Sequence, residues 1–226
     1  MDEYTLEIRN DAGEFFVSPD FTPLVLTQVI DSGNIAHTAT PGRVFMTNVP
    51  ASRKCVIFCK QNYDLVSCLF EVIDSGGYKA IRLHGSAGST GYNNLNCRFY
   101  VFSDFVAWSP DYGIYIYRNK TMVYSGNCLP LTVKYYTRNN NITGKACAAI
   151  GGFAKVELYG IPGSNPPQVT YSLFCYAGYS GGLRELPYNV GTAGTANPPA
   201  FKPTAGCIYI ETEIYDQYYR QSLGLF

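Results

Sequence analysis

The sequence predicts an all-β protein: an antiparallel β-sandwich forming a single domain over residues 1–226, with an internal hairpin repeat and long loops. Three observations lead there. A motif occurs twice, as YTLEIRNDAGEFFVSPDFTPLVL from Tyr4 to Leu26 and as YGIYIYRNKTMVYSGNCLPLTV from Tyr112 to Val133. Elsewhere, short runs rich in β-branched and aromatic residues are bounded by Gly, Pro, Asn or Ser, which is the pattern of strands and turns. The helical period is nearly absent, so an apolar sheet face must be covered by another sheet.

The repeat defines the building unit. With a one-residue gap in the turn, Leu6 and Ile8 fall on Ile114 and Ile116, Ser18 on Ser125, and Pro23-Leu24 on Pro130-Leu131. Each copy reads as a hairpin followed by an extended segment, because inward candidates alternate with period two on either side of a polar turn. The hairpins Tyr4–Val17 and Tyr112–Tyr124 are expected to be equivalent elements of one core.

Further strands are predicted at Arg43–Val49, Lys54–Cys59, Tyr78–His84, Asn96–Phe102, Lys155–Gly160, Thr170–Tyr176 and Cys207–Glu213. Short helices are expected at Asn62–Ile73 and Ile214–Leu223, on apolar runs too short for their period to decide. Three polar stretches read as connections: the glycine-rich turn Gly85–Gly91, the connector Gly160–Gln168, and a loop from Leu186 to Gly206. None separates regions of different composition, so residues 135–226, which hold no copy of the repeat, are assigned to the same domain.

Composition narrows the function. There are 17 basic and 17 acidic residues, and charged residues make up only 15% of the chain, against roughly a quarter in average proteins. Nucleic-acid binding is therefore not expected, since phosphate recognition draws on a basic excess. The 20 tyrosines and 13 phenylalanines beside so few charges suit contact faces within an oligomeric assembly. The opening MDEYTLEIRN lacks the apolar stretch of a signal peptide, and no apolar run has the length of a membrane span. Synthesis in a reducing cytoplasm is expected, with the eight cysteines mostly buried free thiols.

No catalytic constellation emerges. His37 and His84, the two imidazoles, lie in no recognisable frame, Ser89 in GSAGSTG misses the Gly-x-Ser-x-Gly spacing, and the same loop lacks the Lys of a phosphate-binding loop. Cys55 and Cys59 share a strand face, but Cys68 and Cys97 are scattered in sequence, so core packing is favoured over zinc and neither metal nor cofactor is expected. Glu211 and Glu213, two apart on a predicted strand, read as a solvated face, with a sugar-binding carboxylate pair as the alternative. The acceptor patterns at Asn119 and Asn141 are assigned no role. Tyr176, Tyr179 and Tyr188 flank the segment AGYSGG and the long loop, and are the candidate partner or receptor contacts, because phenol rings stack on sugars or anchor protein contacts at small entropic cost. Trp108 reads as a strand-end anchor.

The stretch Tyr100–Val133 resembles a family of small structural proteins encoded among the tail-tip genes of long-tailed, siphovirus-type bacteriophages. The residues in that pattern are Tyr100, Phe102, Tyr112, Gly113, Ile114, Ile116, Tyr117, Val123, Tyr124, Ser125, Pro130 and Leu131. Leu6, Ile8, Asn10 and Gly13 are similar to the family's opening segment. Lys120 departs from it, standing where the family has a turn glycine, and Asn127-Cys128 interrupts the approach to Pro130. The resemblance ends near residue 135. It implies a virion protein of the tail tip or tail fibre, serving assembly and host attachment. Its implied partners are other tail proteins and a host receptor or glycan, and no enzymatic activity is implied; the unmatched residues 135–226 are the region where partner or receptor contact is expected. A carbohydrate-binding sandwich or glycan-acting enzyme, with Tyr176, Tyr179, Glu211 and Glu213 near a sugar groove, is the alternative.

Overall fold

A computed structural model describes residues 8–9, 15–17, 23–35, 43–62, 67–84, 95–138, 140–160, 162–163, 169–189 and 203–225. His37, the turn Gly85–Gly91 with Ser89, and most of the connector 160–168 and the loop 186–206 lie outside these residues.

The described chain is mostly strand. In order these are β1 (Ile8–Arg9), β2 (Phe15–Val17), β3 (Val25–Ile35), β4 (Val44–Pro50), β5 (Cys55–Gln61), β6 (Phe70–Ser75), β7 (Tyr78–Leu83) and β8 (Leu95–Ser103). Then come β9 (Tyr115–Arg118), β10 (Thr121–Ser125), β11 (Lys134–Thr137), β12 (Ile142–Thr143), β13 (Cys147–Ala149), β14 (Phe153–Gly160), β15 (Val169–Tyr179), β16 (Gly182–Asn189) and β17 (Gly206–Glu211). One helix, α1 (Glu213–Ser222), follows.

Ten strands form the main sheet, running β11-β17-β13-β5-β15-β16-β12, with β14 on β15 and β8 joining β5 to β3. Pairing is antiparallel throughout except where β15 meets β5 in parallel at Gly178–Lys60 and Tyr179–Gln61. A second sheet, β4-β7-β6, packs on one face. Between the two lies a core of Val49, Ile57, Cys59, Phe70, Ile81, Leu83, Leu95, Cys97, Phe99 and Val101. The opposite face is covered by α1: Leu26, Phe58, Tyr100, Phe102, Ala148 and Ile210 meet Tyr215 of the helix. Strands β5 and β8 are thus buried on both faces, which is why KCVIFC and NCRFYVF read as nearly continuous apolar runs. Phe99 and Val101 serve the sandwich, while Tyr100 and Phe102 serve the helix side. Each such aromatic ring contributes on the order of 1.5–3 kcal/mol by leaving water. Where β13 crosses β15, a Cβ on Gly178 would stand 2.5 Å from the Cys147 carbonyl oxygen, so only glycine admits that approach.

All seven individually predicted strands are present, with ends moved by up to three residues. The helix predicted at Ile214–Leu223 is α1, but the described residues of Asn62–Ile73 hold no helix: Phe70–Ile73 lies in β6, where pairing with β7 overrides a run whose period was ambiguous. The segment AGYSGG is a tight turn, with Tyr179 opposite Gly182 between β15 and β16, and Leu186–Asn189 continue β16 rather than open a loop.

The repeat takes a form different from the one expected. β1–β2 and β9–β10 are hairpins, but each is a separate two-stranded sheet. Among the described residues Ile116 and Val123 form a small cluster with Tyr124, separate from the main core. The copies meet instead through their trailing segments. Val25 and Pro130 form an antiparallel bridge, with Leu26 N–H donating to the Leu129 carbonyl at 2.8 Å and Leu131 N–H to the Leu24 carbonyl at 2.7 Å. This register sets Leu24 opposite Leu131, its own counterpart in the repeat, so the two segments cross as a local pseudo-twofold pair. Both leucines pack into the core beneath α1. Tyr215 locks the crossing: its hydroxyl donates to the Pro130 carbonyl at 2.9 Å and accepts from Thr132 N–H at 3.0 Å.

Candidate functional site

Three cysteines scattered in sequence converge in the sandwich core. Cys59 on β5 and Cys97 on β8 are diagonal neighbours on one face, because Cys59 stands opposite Phe99 and Gln61 opposite Cys97. Cys68 arrives from the segment before β6, fixed by its backbone N–H donating to the Gln61 side-chain oxygen at 3.0 Å. The three Sγ atoms all lie within 4.8 Å of one another. Cys59 and Cys97 are buried and Cys68 is half-buried. Burial pushes the Cys59 thiol up, whereas hydrogen bonds from Cys59 and Cys97 pull the Cys68 thiol down. The other five thiols are held up by burial: Cys55, Cys128 and Cys147 to about 11, Cys175 and Cys207 to about 12. Such thiols are inert packing groups, and all eight cysteines are free.

Beside this cluster a cleft of about 250 Å³ is lined by Asp31, Gly33, Lys60, Gln61, Asn62, Asn96, Cys97, Arg98 and Ser180. Its two cations are committed to carboxylates. Arg98 grips Asp31 at 2.7 and 2.9 Å and reaches Asp216 on α1 at 3.1 Å. Asp216 also takes an ion pair from Lys60, a bond from the Tyr100 hydroxyl at 2.6 Å and one from Thr212 at 3.0 Å. Burial alone would raise the Asp216 carboxyl, but Lys60, Tyr100 and Arg98 hold it below the ordinary value. The Tyr100 phenol is pushed up by burial and by its bond to Asp216. This arrangement clamps α1 onto β5 and β8, leaving no uncommitted charge for a ligand.

The candidate contact residues all lie on strands, Tyr188 in β16 where the sequence reading placed a loop. Tyr176 on β15 is buried against Tyr136, with ring centroids 5.7 Å apart, and its hydroxyl donates to the Thr204 carbonyl. Tyr188 on β16 is buried with Leu173 and Cys175. Tyr179 is half-buried, with the Arg184 guanidinium 5.4 Å from its ring centre. Alternation along paired strands turns these rings into the protein, and sequence proximity to glycines gave no hint of that. Glu211 and Glu213 do not share a strand face, since Glu211 ends β17 and Glu213 begins α1. Lys134 and Lys145 bond to Glu211, at 2.7 and 2.9 Å, and lower its pKa, the opposite of what a general acid requires. Trp108 packs on the C-terminal turn, where Gly224, at φ +68°, leaves no room for a Cβ above the indole. His84 stands 3.5 Å from Glu71.

The thiol cluster was missed by sequence spacing because its members come from two strands and an irregular segment. The available signal was weak: Cys59 and Cys97 each fall on inward positions of strongly apolar strands. Among the described residues no helix is long and apolar enough to cross a membrane. No protein-family model matches the chain, and neither curated proteins nor solved structures show significant similarity to it.

Proposed function

We propose that the protein is a structural component of a bacteriophage tail tip or tail fibre, made in the host cytoplasm and resident in the virion, where it serves assembly and host attachment. The resemblance over residues 1–135 supports this reading, as does a duplicated unit whose copies cross to build one scaffold. The observation that carries it is the β9–β10 hairpin. It stands as its own sheet, tied to the body by Val106 N–H donating to the Met122 carbonyl at 3.0 Å and by Arg53 to the Thr121 hydroxyl at 2.8 Å. Around it Tyr112, Ile114 and Tyr117 are 90, 56 and 57% exposed. The edge strand β11 adds Tyr135, 63% exposed. Exposed apolar side chains on an unpaired ribbon and an open sheet edge are what a neighbouring subunit would cover. The partners are other tail proteins, in a homo- or hetero-oligomer, together with a host receptor or glycan.

The test uses phage deleted for this gene and complemented by the full chain. Ile114→Asp with Tyr117→Asp should leave the melting temperature of the purified protein within a few degrees, since both side chains face solvent, yet remove it from purified particles as read by mass spectrometry. Normal incorporation of the folded double variant, or absence of the native protein from particles, overturns the proposal.

A further inference from the structure

We propose that Cys59, Cys68 and Cys97 form a three-thiolate site for a thiophilic d¹⁰ metal ion, Zn²⁺ or Cu⁺. Zinc–thiolate bonds are about 2.3 Å long, so three sulfurs sharing one ion stand about 3.8–4.0 Å apart, from tetrahedral to trigonal angles. The three sulfurs already lie within 4.8 Å of one another. Side-chain rotations of a few tenths of an ångström bring them onto a common centre.

The supporting shell is built as a metal site needs. Cys59 and Cys97 sit on adjacent strands whose hydrogen-bonded register fixes their separation, and Gln61 holds the backbone that presents Cys68. Rigid elements and positioned outer residues set ligand geometry. The surroundings, Leu83, Leu95, Phe70 and Phe99 among them, are apolar, a setting that strengthens metal–thiolate attraction by excluding water. Entry is provided on two sides: Cys68 is half-buried, and Cys97 lines the 250 Å³ cleft. Three soft thiolates without a carboxylate select against Mg²⁺ and Ca²⁺, which take oxygen ligands. The remaining cysteines do not contribute, so five thiols stay outside the site. Because an ion bound here joins β5, β8 and the lead into β6, it ties the two sheets of the sandwich together, and occupancy stabilises the folded state by mass action.

The experiment uses the full chain, reduced and made metal-free. Titration with Zn²⁺ against a chromophoric chelator, and separately with Cu⁺ under anaerobic conditions, should give one ion per chain with a raised melting temperature. Competition between the two ions at equal free concentration ranks their affinities for the site. Co²⁺ is a spectroscopic probe that requires no substitution: bound at this site it shows thiolate-to-cobalt charge transfer with the intensity of three sulfur ligands. Cys68→Ala should weaken binding about 100-fold or more, while Cys128→Ala, remote from the cluster, leaves it unchanged. Absence of stoichiometric binding by either ion, a cobalt spectrum without sulfur ligation, or binding that survives Cys68→Ala in a folded variant overturns the proposal.

Discussion

At Asp216 desolvation and pairing act in opposite directions, and pairing wins because four donors converge on one half-buried carboxylate. Its pKa in the folded state lies below the unfolded value of about 3.9. A depressed carboxyl contributes stability that is present above the unfolded pKa and lost as pH falls through the folded one. Asp216→Asn should therefore cost about 1–3 kcal/mol near neutrality, discounted from a fully buried pair because about a quarter of the side chain meets water. The difference in urea midpoint between the variant and the native protein should shrink on acidification below about pH 4. A difference independent of pH would show that the ion pairs carry none of it. Neither Lys60 nor Arg98 signalled this role in sequence, since a charge inside an apolar strand is legible only as an anomaly until its partner on α1 is placed.

The second hairpin shows an element whose existence was legible and whose position was not. Its turn residues Asn119 and Lys120 have φ of +46° and +65°, the two left-handed conformations of a type I′ turn, whose twist matches that of paired strands. Lysine pays a steric cost there that glycine does not, offset in part by the greater freedom of glycine in the unfolded chain. Lys120→Gly should stabilise the hairpin by about 0.5–1 kcal/mol, read as slower hydrogen exchange at the amides of β9 and β10. Faster exchange in the variant would contradict this turn geometry. Alternation and turn chemistry are local, and they correctly marked β9 and β10. Packing is not local, and the hairpin forms its own two-stranded sheet with Ile116 and Val123 in a cluster separate from the main core. The paired leucines after each hairpin, Leu24 and Leu131, instead join the common core.

Across the whole molecule, the two halves of the chain are interleaved. β5 and β8 come from the first half, and β13, β15 and β17, which extend the same sheet, come from the second. The region without repeats is therefore structural core, and not a separable contact module appended to residues 1–134. A chain ending at Lys134 loses α1, with Tyr215, and the strands β13 and β15 that pair with β5, exposing Phe58, Tyr100 and Phe102. It should show no cooperative thermal transition, because losing half of a shared core exceeds the usual 5–15 kcal/mol of net stability. A cooperative transition with strand-type circular dichroism in that fragment would show that the halves fold independently. The interleaving also explains why the bonds of the Asp216 clamp to Lys60, Arg98 and Tyr100 span 116 to 156 residues.

The sequence by itself determined that this chain is built of β-strands, where most of them run, and that a hairpin is duplicated. Those properties follow from side-chain alternation and turn residues within a few positions of each other. Only the tertiary structure decided which strands are neighbours, and so which side chains meet. Tyr176 and Tyr188 became core, Glu211 became a partner of two lysines, and Cys59, Cys68 and Cys97 became one cluster. The reason is physical: period two fixes the face a residue takes, whereas hydrogen-bonded register between distant strands fixes what it faces.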